Sequence, residues 1–421
     1  MSTQGFRRHD GRKRVVVTGG GMLSALGDDW DEAFRRLKSG RNCIKYMKDW
    51  EQYRLMNTRL GCPYEKELPV YPRKKVRGMG RVGLLALVAT ERALDAAKLK
   101  KEDGEVFDEL HNGRTGIAYG SCMGSMDSIV ELYSMVADND ISRINSQTYI
   151  KCMPQTCLCN LSVFYALRGR MITTNSACTS GSQAIGYAYE AIAAGRQDMM
   201  IAGGAEELVA PDAAIFDVLG AAAAQNDAPE QEPKPFDKDR DGLIVGEGAG
   251  TLVLEDMEHA VARNAPLFAE VVGFGTNADG THITNPNPDT MARAMELAIE
   301  DAGISADAIA YVNAHGTSTL AGDIAESVAT YRVFNRPVPI SSTKSYIGHT
   351  LGACGSIEAW LSIQMMNSSW FHPTLNLHSP DPRCSPLDYI METGREMPAE
   401  YVMSNNFAFG GINTSLIFKK I

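Results

Sequence analysis

No run of apolar residues in this 421-residue chain is long enough to cross a bilayer as a helix. Its amino-terminal stretch, MSTQGFRRHDGRKR, is polar and basic where a secretory signal needs an apolar core. Cysteine is present but unpatterned: the nine thiols, from Cys43 to Cys384, are odd in number and scattered. They read as reduced, and the expected compartment is the cytoplasm. Cys157 and Cys159 form a C-x-C pair near Cys152, but no second pair stands at zinc-like spacing, so these are core thiols and no metal is expected. Positive charge is in deficit, with 41 Lys and Arg against 51 Asp and Glu. A net charge of −10 excludes a general nucleic-acid binder and leaves room for a local basic patch. Phosphate-binding signatures are also missing. Gly19, Gly21 and Ser24 do not complete G-x-G-x-x-G, and no G-K-[ST] follows at phosphate-loop spacing.

What is there is a soluble globular composition, 44% hydrophobic and 22% charged, in a chain long enough to bury a large core. The length fits two to three domains or one large duplicated unit. A first strand, Arg14–Thr18, runs toward a turn at Gly19-Gly20-Gly21. Further strands are expected at Thr115–Tyr119, Met199–Ala202, Gly250–Leu254, Ala269–Phe274, Ala310–Ala314 and Ser415–Phe418. Alanine-rich helices are expected at Leu84–Ala97, Ser182–Ala194 and Met291–Ala302. The alternation indicates an α/β protein with a substantial sheet. The Pro-rich, acidic stretch Asn226–Pro235 is a candidate boundary between halves, although no repeat is visible in the residues themselves. The basic residues Arg7, Arg8, Arg12, Lys13 and Arg14 read as a solubilising tail.

The most informative segment surrounds Cys178. A strand-like run, Arg170–Thr173, leads into small residues, Ala177-Cys178-Thr179-Ser180-Gly181, and a helical pattern follows at once. A cysteine at a helix N-terminus is favoured as thiolate by the dipole and free N–H groups, and a sharp strand-to-helix turn presents a nucleophile. By itself the same cysteine reads equally as a buried structural thiol, so its partners must decide.

Two of the eight histidines have suitable company. His315 ends a strand in Asn313-Ala314-His315-Gly316-Thr317-Ser318-Thr319, and His349 lies five residues after Lys344 in Lys344-Ser345-Tyr346-Ile347-Gly348-His349. A thiolate can attack an acyl carbonyl and form an acyl-enzyme, while two imidazole N–H donors can hold the charge developing on a second thioester. The amide of Cys178 and the glycine-rich Asn406–Asn413 segment could supply an oxyanion hole, and the latter also reads as a plain β-turn.

Five ordered segments carry a resemblance: SACTSG from Ser176, PFDKDRDGLIVGEGAGTLVLE from Pro235, NAHGTST from Asn313, STKSYIGHTLGACG from Ser342 and NNFAFGGIN from Asn405. Over about Arg14–Lys420 the chain resembles the elongating β-ketoacyl-acyl-carrier-protein synthases, types I and II. The resemblance implies a thiolase-like duplicated α/β fold in five αβαβα layers, with one half over 12–265 holding Cys178 and another over 266–421 holding His315, Lys344 and His349. It implies Cys178 as the acylated nucleophile and His315 with His349 as the malonyl decarboxylation pair. Lys344 would support that site, paired with Glu326, and Asp323 matches the acid after the first histidine. Phe409 would give the second oxyanion N–H and Phe407 would belong to the gate. Thr317, Thr319 and Thr284 would meet the pantetheine arm, and Met123 would line the acyl pocket.

The partner implied is an acyl carrier protein, whose phosphopantetheine brings the substrates, so no cofactor of the chain's own is expected. Acidic carriers would dock on Arg73, Lys74, Lys75 and Arg77; a docking arginine of the family reads Gln225 here. A dimer is implied, homomeric or heteromeric. The histidine pair separates the chain from initiating type III synthases, and Asn405–Thr414 lacks the second cysteine of degradative thiolases. A non-catalytic chain-length partner would lack the nucleophile. Ile412 in place of threonine, Leu320 in place of proline, and Tyr346 with Ile347 in place of smaller residues alter the surroundings of the site. Together with FAFGG and NTRLG they point to fatty acid or specialised polyene synthesis, inclining to the aryl-polyene type.

Overall fold

The computed structural model describes residues 3–100 and 106–421. Ten principal strands form two units of five. The first unit comprises β1 (Val15–Ser24), β2 (Thr115–Gly120), β3 (Met171–Thr173), β4 (Met199–Glu206) and β5 (Gly248–Asp256). The second comprises β6 (Ala269–Ala278), β7 (Ile309–Asn313), β8 (Pro339–Ser341), β9 (Tyr401–Ala408) and β10 (Ile412–Lys419). Spatial order is β3-β2-β4-β5-β1 in the first unit and β8-β7-β9-β10-β6 in the second. Counting strands within each unit, both read third, second, fourth, fifth, first. Directions repeat too: β2 is parallel to β3 and β4, as β7 is to β8 and β9, and the remaining neighbours are antiparallel. The duplication that residues conceal is thus plain in topology. β1 joins β6 by three antiparallel pairs, Val15 with Val271, Val16 with Glu270 and Val17 with Ala269, so the two sheets form one continuous ribbon.

Six helices matter here: α1 (Arg81–Ala96), α2 (Ser180–Ala193), α3 (Ala210–Val218), α4 (Pro288–Ala302), α5 (Leu320–Phe334) and α6 (Cys354–Ser368). α1 covers the outer face of the first sheet, and α4 with α5 covers that of the second. α2 and α6 lie between the sheets and touch each other, which gives the five layers. Their composition explains this position. α6 is buried along its whole length from Cys354 to Met366, as a helix apolar or small on every side must be. Glycines permit the close approach: a Cβ at Gly181 would stand 2.8 Å from Ser356 N, and one at Gly355 would stand 2.7 Å from Ser182 N. The contact is reciprocal, each glycine meeting the backbone one residue beyond the other. The turns before these helices match as well. Ala177 (φ 51°) opens a 3-10 turn before α2, and Leu351 (φ 45°) opens one before α6.

Three expectations are corrected. The strand does not end at the glycine triplet but continues through it to Ser24. A Cβ at Gly19 or Gly21 would strike the backbone of α1, and one at Gly20 would strike the Trp360 ring of α6, so the glycines admit helices on both faces of the sheet. Asn226–Pro235 is not the seam, since it lies between β4 and β5 of the first unit. The basic amino terminus is no free tail. Arg8 donates to Tyr189 Oη at 2.6 Å and to Val272 O at 2.6 Å, Arg12 pairs with Asp301 at 2.6 Å, Lys13 with Asp256, and Arg14 with Glu270 at 2.7 Å.

Candidate active site

The parallel strands of both units deliver their carboxyl ends to one place, where α/β proteins hold ligands. Cys178 follows β3, His315 follows β7, Lys344 and His349 follow β8, and Phe407 and Phe409 lie at the end of β9. Cys178 Sγ and a ring nitrogen from each of His315 and His349 stand within 4.8 Å of one another. The two rings are nearly perpendicular, with centroids 5.1 Å apart. They border a cavity of about 450 Å³ that Cys178, His315, His349, Phe407 and Phe409 help to line.

Cys178 is buried, and its sulfur faces the backbone N–H groups of Phe409 and of Cys178 itself. A small anion at that point would find two donors. The helix position was expected to favour thiolate, and here burial dominates. It pushes the thiol up to about 11, against the pull of Lys344 and the two N–H groups. The regular part of α2 begins two residues after the sulfur, behind the 3-10 turn.

Each imidazole is held by its Nδ1. Leu351 N–H donates to His349 Nδ1 at 3.3 Å, and the Asn406 amide Nδ2 lies 3.5 Å from His315 Nδ1. That leaves Nε2 as the protonated nitrogen of His349, where it is buried without a partner. Burial, and after it the charge of Lys344, holds both rings well below the ordinary histidine range, so they are neutral donors. The same three atoms stand close enough to hold a metal ion, and the two neutral rings can equally offer hydrogen to an oxygen atom.

Glu326 does not pair with Lys344 as expected. Its carboxylate takes the backbone N–H of His315 at 2.8 Å and of Gly316 at 2.7 Å, and so fixes the turn that carries the first histidine. Burial pushes this carboxyl up to about 8, with the two N–H bonds opposing. The partner of Lys344 is Glu358, at 2.5 Å, with both side chains buried. Burial opposes the Lys344 charge, and Glu358 outweighs it, holding the ammonium above its ordinary value. Asn406 Nδ2 donates to the other Glu358 oxygen at 2.8 Å, which joins Lys344, Glu358, Asn406 and His315 in one chain of contacts.

Other predicted residues sort by distance from this centre. Thr317, Thr319 and Thr284 line the cavity, and the two hydroxyls of Thr317 and Thr319 are 2.9 Å apart. Asp323 does not line it. It accepts from Phe236 N at 2.7 Å and Ser318 N at 3.1 Å and pairs with Arg240, holding the loop after His315 in shape. Met123 also lies off the cavity, its N–H bonded to Glu206 at 3.3 Å. Arg73, Lys74, Lys75 and Arg77 are all exposed and none lines the cavity.

Three site residues escaped the sequence reading. Glu358 carried a signal: it is the one charge in Cys354–Met366, and a charge in a helix buried on all sides needs a partner. Asn406 stood inside a recognised segment with no role assigned. Glu206 closes β4 and takes four donors, Ser121 Oγ, Cys122 N, Met123 N and Gly352 N.

Comparison with known proteins agrees with this geometry. The family model "Beta-ketoacyl synthase, N-terminal domain" matches residues 12–260, and "Beta-ketoacyl synthase, C-terminal domain" matches 268–378. The 3-oxoacyl-[acyl-carrier-protein] synthase 2 of Vibrio harveyi is 37% identical, covering 97% of this chain and 99% of the relative. A crystal structure of a β-ketoacyl synthase from Burkholderia phymatum STM815 is 54% identical, with a TM-score of 0.94 over 97% of this chain and 99% of that one. The AntDE:AntF complex, a type II PKS acyl-carrier protein with its ketosynthase, matches at 28% identity and a TM-score of 0.85 over 97% of this chain and 100% of its own. With family models over residues 12–260 and 268–378 and likeness to relatives over 97% of its length, the chain belongs to the β-ketoacyl synthase family.

Proposed function

We infer that the protein is a β-ketoacyl-acyl-carrier-protein synthase, an acyltransferase that lengthens a thioester-bound acyl chain with a malonyl unit. The observation that carries this reading is the convergence of one thiol, two imidazoles and two backbone N–H groups on one cavity. In the first half-reaction Cys178 Sγ attacks the acyl carbonyl, and the oxyanion rests between the N–H groups of Cys178 and Phe409. The carrier thiol leaves with the proton that Cys178 gives up. In the second, the malonyl C–CO₂⁻ bond breaks and its electron pair moves onto the thioester carbonyl oxygen, which His315 and His349 hold. CO₂ departs, the enolate carbon attacks the acyl group on Cys178, and the expelled thiolate takes a proton. Lys344 adds positive charge behind the pair and needs Glu358 to stay buried.

The substrates arrive on the phosphopantetheine of an acyl carrier protein, a reading supported by the carrier bound to ketosynthase in the AntDE:AntF relative. A dimer is supported by an exposed apolar face on and beside the helix Met126–Asp138, comprising Val130, Tyr133, Val136, Ile141 and Tyr149. A second copy or a chain-length subunit would cover it equally well. No helix among the described residues is long and apolar enough to cross a membrane. The setting we infer is fatty acid or specialised polyene synthesis in the cytoplasm, with the substitutions around the gate inclining it to the polyene type.

The test is intact-mass spectrometry after incubation with a panel of acyl-carrier-protein thioesters, with peptide mapping. An acyl adduct on Cys178, absent from Cys178→Ala together with all condensation, is the expected result. Full activity in that variant would refute the nucleophile.

A further inference from the structure

One buried acid close to the site has nothing to hold. Asp212 is 2% exposed, and neither of its carboxyl oxygens has a hydrogen-bond partner among the described residues. It stands in the first turn of α3, where an acid can serve the free N–H groups of a helix, yet it accepts from none of them. Its acidic neighbours are satisfied: Glu206 takes four donors, and Glu207 takes Met126 N at 2.6 Å. Burial, with Glu206 and Glu207 after it, pushes the Asp212 carboxyl up to about 8, so it keeps its proton at neutral pH. A polar group buried without a partner costs free energy, and such violations gather where a protein meets its ligand.

Its surroundings tie it to Cys178. Phe216, one turn along the same face of α3, lines the cavity and packs its ring on that of Phe409, with centroids 5.5 Å apart. Phe409 is the residue whose N–H faces the Cys178 sulfur. Ala213, Phe216, Phe409 and Cys122 belong to one apolar cluster. The Cys122 thiol is raised by burial and then by the charges of Glu206 and Cys178, and Glu206 acts on Asp212 as well. Asp212 and Cys178 thus border the same small cluster. Asp212 does not itself line the cavity, whereas its helix neighbour Phe216 does, so a chain held on Cys178 reaches the carboxyl past that ring.

We propose that Asp212 is a specificity-determining residue, which pairs with a hydroxyl carried near the far end of the acyl group on Cys178. This rests on the condensing function inferred above and states which acyl groups that site selects. A carboxyl that keeps its proton offers one O–H and a free acceptor oxygen, the complement of a hydroxyl, which both gives and accepts. A tail ending in methyl leaves the acid unpaired, and a site built to bond a substrate hydroxyl discriminates on that ground. The hydroxyl can sit on an aliphatic chain or on an aromatic ring.

The experiment offers the intact protein an equimolar pair of acyl-carrier-protein thioesters of equal chain length, one tail ending in methyl and the other in hydroxyl. Intact-mass spectrometry counts the two adducts on Cys178. The series runs over several chain lengths, with the tails aliphatic in one arm and ending in a phenyl ring that bears the methyl or hydroxyl in the other. The expected result is about a tenfold excess of the hydroxyl adduct at the length that reaches Asp212, and the arm in which it occurs identifies the source. Asp212→Leu should reverse the excess in favour of methyl, and Asp212→Asn, which keeps a polar group of the same shape, should leave hydroxyl ahead. Both tails compete for the same molecules, so the ratio does not depend on how much of a variant folds. A methyl excess at every length overturns the proposal, as does the same ratio in the parent and in Asp212→Leu. Adducts formed without preference overturn this proposal alone, whereas no adduct from any thioester overturns the condensing function along with it.

Discussion

At the scale of single residues, the site works by withholding water. Cys178 is buried enough for its thiol to rise to about 11, and both histidines are neutral for the same reason. Only thiolate reacts with alkylating agents. The rate of iodoacetamide labelling at Cys178, followed by peptide mapping, should therefore keep climbing about tenfold per pH unit past pH 9. A plateau near the ordinary cysteine value would contradict the burial argument. The Lys344–Glu358 pair makes a second prediction. Removing one partner of a buried ion pair leaves the other charge uncompensated, which costs about 3–5 kcal/mol. Glu358→Gln should lower the unfolding free energy by about that amount and depress decarboxylation, whereas Glu326→Gln should disturb the His315 turn with Lys344 still paired. Denaturant titration beside a CO₂-release assay separates the two. Cys178, His315 and His349 could be singled out because each sits in an unusual short segment, and the fold brings the three together. Glu358 was not assigned, because pairing is a property of space: Glu326 turns its oxygens to the His315 and Gly316 backbone, and Glu358 is the one that reaches the ammonium.

At the scale of elements, the strands and helices with clear hydrophobic patterning were legible, from Thr115 onward through the Ser415 strand. β8 and β9 were not anticipated. Three residues of β8 are too few for a period, and β9 carries Ser404, Asn405 and Asn406 in a buried strand, where polarity reads as loop. The glycine triplet was misread for a physical reason. Consecutive glycines signal a turn when nothing else is known, but here each removes a side chain from a surface against which a helix packs. Gly20→Ala would press its methyl into the Trp360 ring. The expected cost is about 1–3 kcal/mol, read as a lower melting temperature. A neutral outcome would mean that α6 can shift, and the tight α2–α6 contact then should not be needed to hold Cys178.

At the scale of the whole molecule, each unit supplies what the other lacks, and the ribbon through β1 and β6 binds them into one cooperative body. Buried carboxyls leave a mark on its pH dependence. Asp212 on α3 is 2% exposed, has no hydrogen-bond partner for either oxygen among the described residues, and is raised from 3.8 to about 8 by burial, with Glu206 and Glu207 adding to it. An acid raised in the native state keeps a proton that the unfolded chain has released. Its contribution to stability is therefore present at low pH and fades as pH climbs from about 4 to about 8. Asp212→Asn should melt close to the parent at pH 5 and above it at pH 8.5, and a gap that does not widen with pH would exclude this origin.

The matched turns before α2 and α6 have a consequence for the history of the molecule. Stepping from Ala177 to Leu351 carries Cys178 onto Gly352, so the second unit owns the same turn with no side chain where the first has its sulfur. In the first unit the N–H of that position faces the Cys178 sulfur, whereas in the second it donates to Glu206 at 3.1 Å. The protein thus holds two copies of one bend, one with its N–H turned to a thiol and the other with its N–H taken by a resident carboxylate.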